Sequence, residues 1–99
     1  MTTRLEILRE SEGTDGLAFV ARIGMAPGPP RAIELRLNWA DYNFWSPDGT
    51  AAPSDIARAV LLALLECVEP ETVPDSFDAS SLRRRHPGID DRIRALIGR

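Results

Sequence analysis

Leu17, Phe19, Ala21 and Ile23 fall at every second position of L-A-F-V-A-R-I, with Arg22 on the opposite side. Period two is the signature of a strand with one face in a core and the other in water. Ile33, Leu35 and Leu37 repeat the pattern against Glu34, Arg36 and Asn38. A shorter first strand is expected over Leu5 to Arg9, with Leu5 and Ile7 on one side. E-S-E-G-T-D-G between the first two runs reads as a polar turn, because its glycines permit unusual backbone angles and its Ser, Thr and Asp compete for backbone donors. G-M-A-P-G-P-P-R between the second and third carries too many breakers to continue either strand. The three runs predict a mostly antiparallel sheet, with Arg22 facing Glu34 or Glu6 facing Arg36 on its wet side.

The period changes at Pro53. Ile56, Val60, Leu64 and Cys67 or Val68 form one stripe of a helix over about Pro53 to Val68, widened by Ala57, Leu61 and Leu65. Pro53 suits the first helical turn, and Asp55 places negative charge where free amide donors point. Leu62 lies among Asp55, Arg58, Glu66 and Glu69 on the outward side. So broad an apolar face exceeds what three short strands need, which implies a second helix or another chain against it. Beyond Pro70 and Pro74, Val73 and Phe77 are expected to tuck back toward the core. An Asp78 or Ser80 cap starts a short helix through about Arg85. After His86-Pro87-Gly88, the stripe Ile89, Ile93, Leu96 and Ile97 predicts a terminal helix. The expected fold is α+β, in the order β-β-β-α-α: a three-stranded sheet covered by one long helix, with one or two shorter C-terminal helices.

The segment from Asn38 to Gly49, N-W-A-D-Y-N-F-W-S-P-D-G, holds four of the six aromatic residues. Strand parity carried past Leu37 points Trp39 inward, and the polar Asp41 and Asn43 require a bend between Ala40 and Asn43. The expectation is a division of labour in which Trp39 closes the core while Tyr42 and Trp45 face outward for contact. Tyrosine and tryptophan combine large area with a polar handle, which suits interaction surfaces. Tyr42, Trp45, Asp41 and Leu62 are therefore the candidate partner-binding residues.

Length and charge then narrow the possibilities. Ninety-nine residues suffice for one core, so residues 1 to 99 are expected to form a single domain. Every basic side chain is arginine. Residues 1 to 82 carry six arginines against thirteen acidic groups, whereas residues 83 to 99 carry six against only Asp90 and Asp91. Arg83, Arg84, Arg85 and Arg92 are the candidate anion-binding residues; they fold back onto Glu66, Glu69, Glu71, Asp75 and Asp78, or they meet an anionic partner. Nucleic acid is the alternative partner on this ground. The strand-strand-strand-helix order loosely resembles that of double-stranded RNA-binding domains, although the long helix begins with Asp55 where a basic cluster would be needed.

Reactive chemistry is sparse. The single Cys67 lies in the helical stripe and reads as core, and the single His86 as a surface or helix-end residue. Asp41, Asn43 and Asp48 lack the central glycine and closing glutamate of a calcium loop. No glycine-rich phosphate loop or nucleophile elbow appears. The expected protein is a cytoplasmic, noncatalytic interaction or assembly domain, with a homodimer as one form it can take. It is expected to need no cofactor or metal and to have no membrane association.

Overall fold

A computed structural model describes residues 3 to 25 and 27 to 97. Its architecture is α+β: a four-stranded sheet with helices packed on one face. Strands β1 (Thr3–Glu12), β2 (Gly16–Met25) and β3 (Arg31–Asn38) form an antiparallel meander. The sheet is one strand larger than expected, because β4 (Ser76–Asp78) pairs parallel to β3. Three residues are too few to show a period, but pairing Leu35 with Phe77 places the phenylalanine inside.

One face carries the alternating apolar series. Leu17, Phe19, Ala21 and Ile23 of β2 and Ile33, Leu35 and Leu37 of β3 are all buried, whereas Arg22, Glu34 and Arg36 on the other face are exposed. Each fully buried large apolar side chain contributes roughly 1.5–3 kcal/mol, so these two strands hold much of the fold together. The expected cross-strand pairs change partners. Register sets Glu6 opposite Arg22, whose Nη1 donates to Glu6 Oε1 at 3.3 Å, while Arg36 binds Asp78 and Glu34. The β1–β2 register slips between Ile7 and Arg9, leaving Leu8 exposed at an irregularity in the edge strand. Such a bulge, with charges on the same strand, discourages edge-to-edge pairing.

The meander is followed by α1 (Trp39–Trp45), α2 (Pro53–Cys67), α3 (Leu82–Arg85) and α4 (Ile89–Leu96), with single 3-10 turns at Pro70–Thr72 and Ala79–Ser81. Ile56, Val60, Leu61 and Leu64 of α2 are buried over the sheet. The surplus width of this helix is taken up within the chain, because α4 packs against α2 and buries Ile89 and Ile93. Leu62 is half-buried rather than outward. Cys67, read as core, is exposed at the last position of α2.

Arg31 ties the start of β3 to the chain that leads into β4. Its guanidinium donates to the carbonyls of Pro70 at 2.9 Å and Val73 at 2.6 Å and to Asp75 Oδ1 at 2.7 Å. At the other end of the sheet, a Cβ added to Gly16 would collide with the Leu37 carbonyl oxygen and Asn38 Cα. No side chain fits where the β1–β2 turn crosses the end of β3.

Candidate functional site

The aromatic segment is a helix, not a bent strand. Asn38 keeps an extended backbone, and its Oδ1 accepts from the Asp41 amide at 2.7 Å, so β3 ends and α1 begins at one capping residue. The change of period reverses the inward and outward assignments. At about 100° per residue, Asp41 and Trp45 share the inner face of α1, and Trp39, Ala40, Asn43 and Phe44 span the outer one.

Trp45, expected outward, is 4% exposed; Trp39, expected inward, is 36% exposed and Phe44 is 44% exposed. Tyr42 lies between, half-buried, with its hydroxyl donating to the Ala51 carbonyl at 2.8 Å and its ring meeting Trp39 edge to face at 6.2 Å. Asp41, expected to face a partner, is only 5% exposed. The physical reason is the helix itself: strand parity would set Trp39, Asp41 and Trp45 on one face, whereas about 100° per residue keeps Asp41 and Trp45 together and turns Trp39 away from them.

A polar network runs under α1. Arg83 Nη2 donates to Asp41 Oδ1 at 2.9 Å, and its Nε donates to Asp90 Oδ2 at 3.1 Å. The Trp45 indole N–H donates to Asp90 Oδ1 at 2.8 Å. One arginine therefore bridges two carboxylates from separate helices. Asp41 Oδ2 is buried without a hydrogen-bond partner among the described residues, a cost offset by the charged bond at Oδ1. Burial pushes the Asp90 carboxyl up, but the hydrogen bonds from Arg83 and Trp45, together with the charges of Arg83 and Arg94, hold it below its usual value. The Asp90 hydrogen bond raises Arg83, against burial, and Asp41 adds to the rise.

The same arginine reaches the surface. Its guanidinium carbon lies 5.4 Å from the Phe44 ring centroid and 5.6 Å from that of Trp45, and the guanidinium of Arg94 lies 4.3 Å from Phe44. Phe44 is thus exposed but flanked by two cations, each an attraction of about 0.5–1 kcal/mol at such a site. Asp48 plays a local part, accepting from the Thr50 amide and hydroxyl and from Ser46, and the Thr50 bonds lower its carboxyl.

The four arginines expected to bind anions divide into two pairs. Arg92 forms a two-pronged pair with Glu66, both contacts at 2.7 Å, and Arg83 is held by Asp41 and Asp90. Their charge is largely answered within the chain. Arg84 and Arg85 are exposed and have no ion pair among the described residues. Phe44, Asp90 and Arg94 were not anticipated as parts of one site. The legible signal was Asn38 three residues ahead of Asp41, a capping pattern that places Phe44 on the outer face.

No family model, curated protein or solved structure matches this chain. Among the described residues no helix is long and apolar enough to cross a membrane.

Proposed function

We propose that the chain is a small noncatalytic interaction domain whose contact face is the outer side of α1, where it docks on another protein chain. The observation that carries this reading is the placement of two large aromatic side chains, Trp39 and Phe44, on the exposed side of a seven-residue helix anchored beneath by Asp41 and Trp45. Trp39 and Phe44 stand at the two margins of that side, with the smaller Ala40 and Asn43 between them. Aromatic anchors held rigid before contact lose little freedom on binding. Tryptophan and arginine are also the residues on which binding energy concentrates.

The acid and base side chains nearest this face favour scaffolding over catalysis. Asp41, Arg83 and Asp90 spend their hydrogen bonds on one another and on Trp45. A photoreactive amino acid at Asn43, introduced in cells that produce the protein, tests the reading. A discrete adduct is expected, lost on Trp39→Ala and Phe44→Ala and missing when the probe stands at Ala32 on the open sheet face. An adduct of twice the chain mass identifies the partner as a second copy. No adduct at Asn43, or the same adducts from Ala32, overturns the proposal.

A further inference from the structure

Away from α1, the end of α2, strand β4 and helix α3 enclose a cavity of about 60 Å³. Val68, Phe77 and Leu82 supply its apolar wall, the last two buried, while Ser81, Arg85 and His86 line it from the α3 side. At roughly 10–15 Å³ per water-sized site it holds about four to six waters, comparable with a carboxylate and a two- or three-carbon tail.

The donors at this cavity are selective. Ser81 Oγ already donates to the Asp78 carbonyl at 2.7 Å, and Thr72 Oγ1, also in the lining, donates to the Glu69 carbonyl at 2.7 Å. Both hydroxyl protons are committed within the protein. The groups still able to donate are the Arg85 guanidinium, exposed and with no ion pair among the described residues, and the His86 imidazole. A fixed fork of N–H groups beside a ring nitrogen matches a planar carboxylate. The apolar wall matches a short aliphatic tail.

We propose that this cavity binds a carboxylate carried on a short aliphatic chain, either as a free small acid or as the C-terminus of a peptide ending in a small apolar residue. Arg85 supplies the charge and the fork, His86 the second donor, and Val68, Phe77 and Leu82 the pocket for the tail. The site is independent of the α1 face.

The single histidine gives an unambiguous probe, because the ring resonances of His86 need no assignment. Propionate, a hexapeptide ending in a valine carboxylate and the same hexapeptide as a C-terminal amide are each titrated at constant pH and ionic strength. A saturable shift of the His86 ring is expected with propionate and the acid peptide, absent with the amide. Arg85→Gln, at an exposed position, is expected to weaken it about tenfold or more, as loss of a charged hydrogen bond predicts. Val68→Met, which fills part of the cavity, is expected to abolish any preference for propionate over formate. Tighter binding of the acid peptide than of propionate identifies a chain terminus as the ligand, and equal binding a free acid. No saturable shift, equal response to the amide, or unchanged affinity in Arg85→Gln overturns the proposal.

Discussion

The indole of Trp45 donates to Asp90 at 2.8 Å, joining the last residue of α1 to the first turn of α4. Trp45 is thereby both an apolar filler and a hydrogen-bond donor to a partly buried carboxylate. Trp45→Phe keeps most of the volume and removes the donor. It is expected to cost about 1.5–3 kcal/mol in urea unfolding, the range for a hydrogen bond to a charged group. Trp39→Phe at the exposed position is expected to cost at most about 0.5 kcal/mol. Equal losses at the two positions would show that the inner and outer sides of α1 are misassigned.

Arg83 serves two acids, so its removal is expected to cost more than the loss of one bond. Arg83→Met strands the buried Asp41 and the partly buried Asp90, and the expected loss is about 2–4 kcal/mol, moderated by the partial exposure of the guanidinium. Asp41→Asn in the same background relieves the stranded charge. The double variant should therefore be more stable than Arg83→Met alone, with a coupling of about 1 kcal/mol or more in a double-mutant cycle. Additive losses would mean that the two side chains do not interact in solution.

Acid should loosen the same junction. The Asp90 carboxyl is depressed on folding, so its contribution is present above the unfolded value of about 3.9 and is lost as pH falls through the lower folded value. The urea midpoint is expected to drop as pH falls from about 5 toward 2. Asp90→Asn should flatten part of that slope. Glu66, lowered by its hydrogen bonds from Arg92, supplies a further part, so Glu66→Gln added to Asp90→Asn should flatten it more. An unchanged slope in the double variant would assign acid sensitivity to other carboxylates.

Gly16 offers a test of the sheet end. Alanine there must displace the Leu37 carbonyl or the turn itself, and the expected cost is about 3 kcal/mol, at the upper end for overpacking. Gly13→Ala, where an added Cβ meets nothing closer than the Gly16 carbonyl oxygen at 3.8 Å, is the matched control. Equal denaturant midpoints for the two variants would contradict the close approach of the turn to β3.

The sheet was readable where one face is wet. Leu17 to Ile23 and Ile33 to Leu37 alternate because water on one side and α2 on the other impose period two. α2 was readable for the same reason at period 3.6. Strand β4 was hidden, since Ser76, Phe77 and Asp78 show one inward residue and no repeat. In α1 two signals conflicted: strand parity pointed Trp39 inward, whereas Asn38 and Asp41 marked a helix start, and the local cap prevailed. The arginine run showed where charge is concentrated. Which of its members are already answered depended on folding, because Asp41 and Asp90 meet Arg83 only through tertiary packing.

The parallel pairing of β4 with β3 has a consequence for the order in which the chain acquires its shape. β1, β2 and β3 are neighbours in sequence and can zip together while later residues are still being synthesised. Leu35, however, waits for Phe77, and Arg31 waits for the carbonyls of Pro70 and Val73, both contacts spanning about forty residues. Such distant contacts form late because their loop must close first. Until then β3 is itself an open border with Ile33, Leu35 and Leu37 beside it, so the short fourth strand acts as a latch that ends the chain's most adhesive stage.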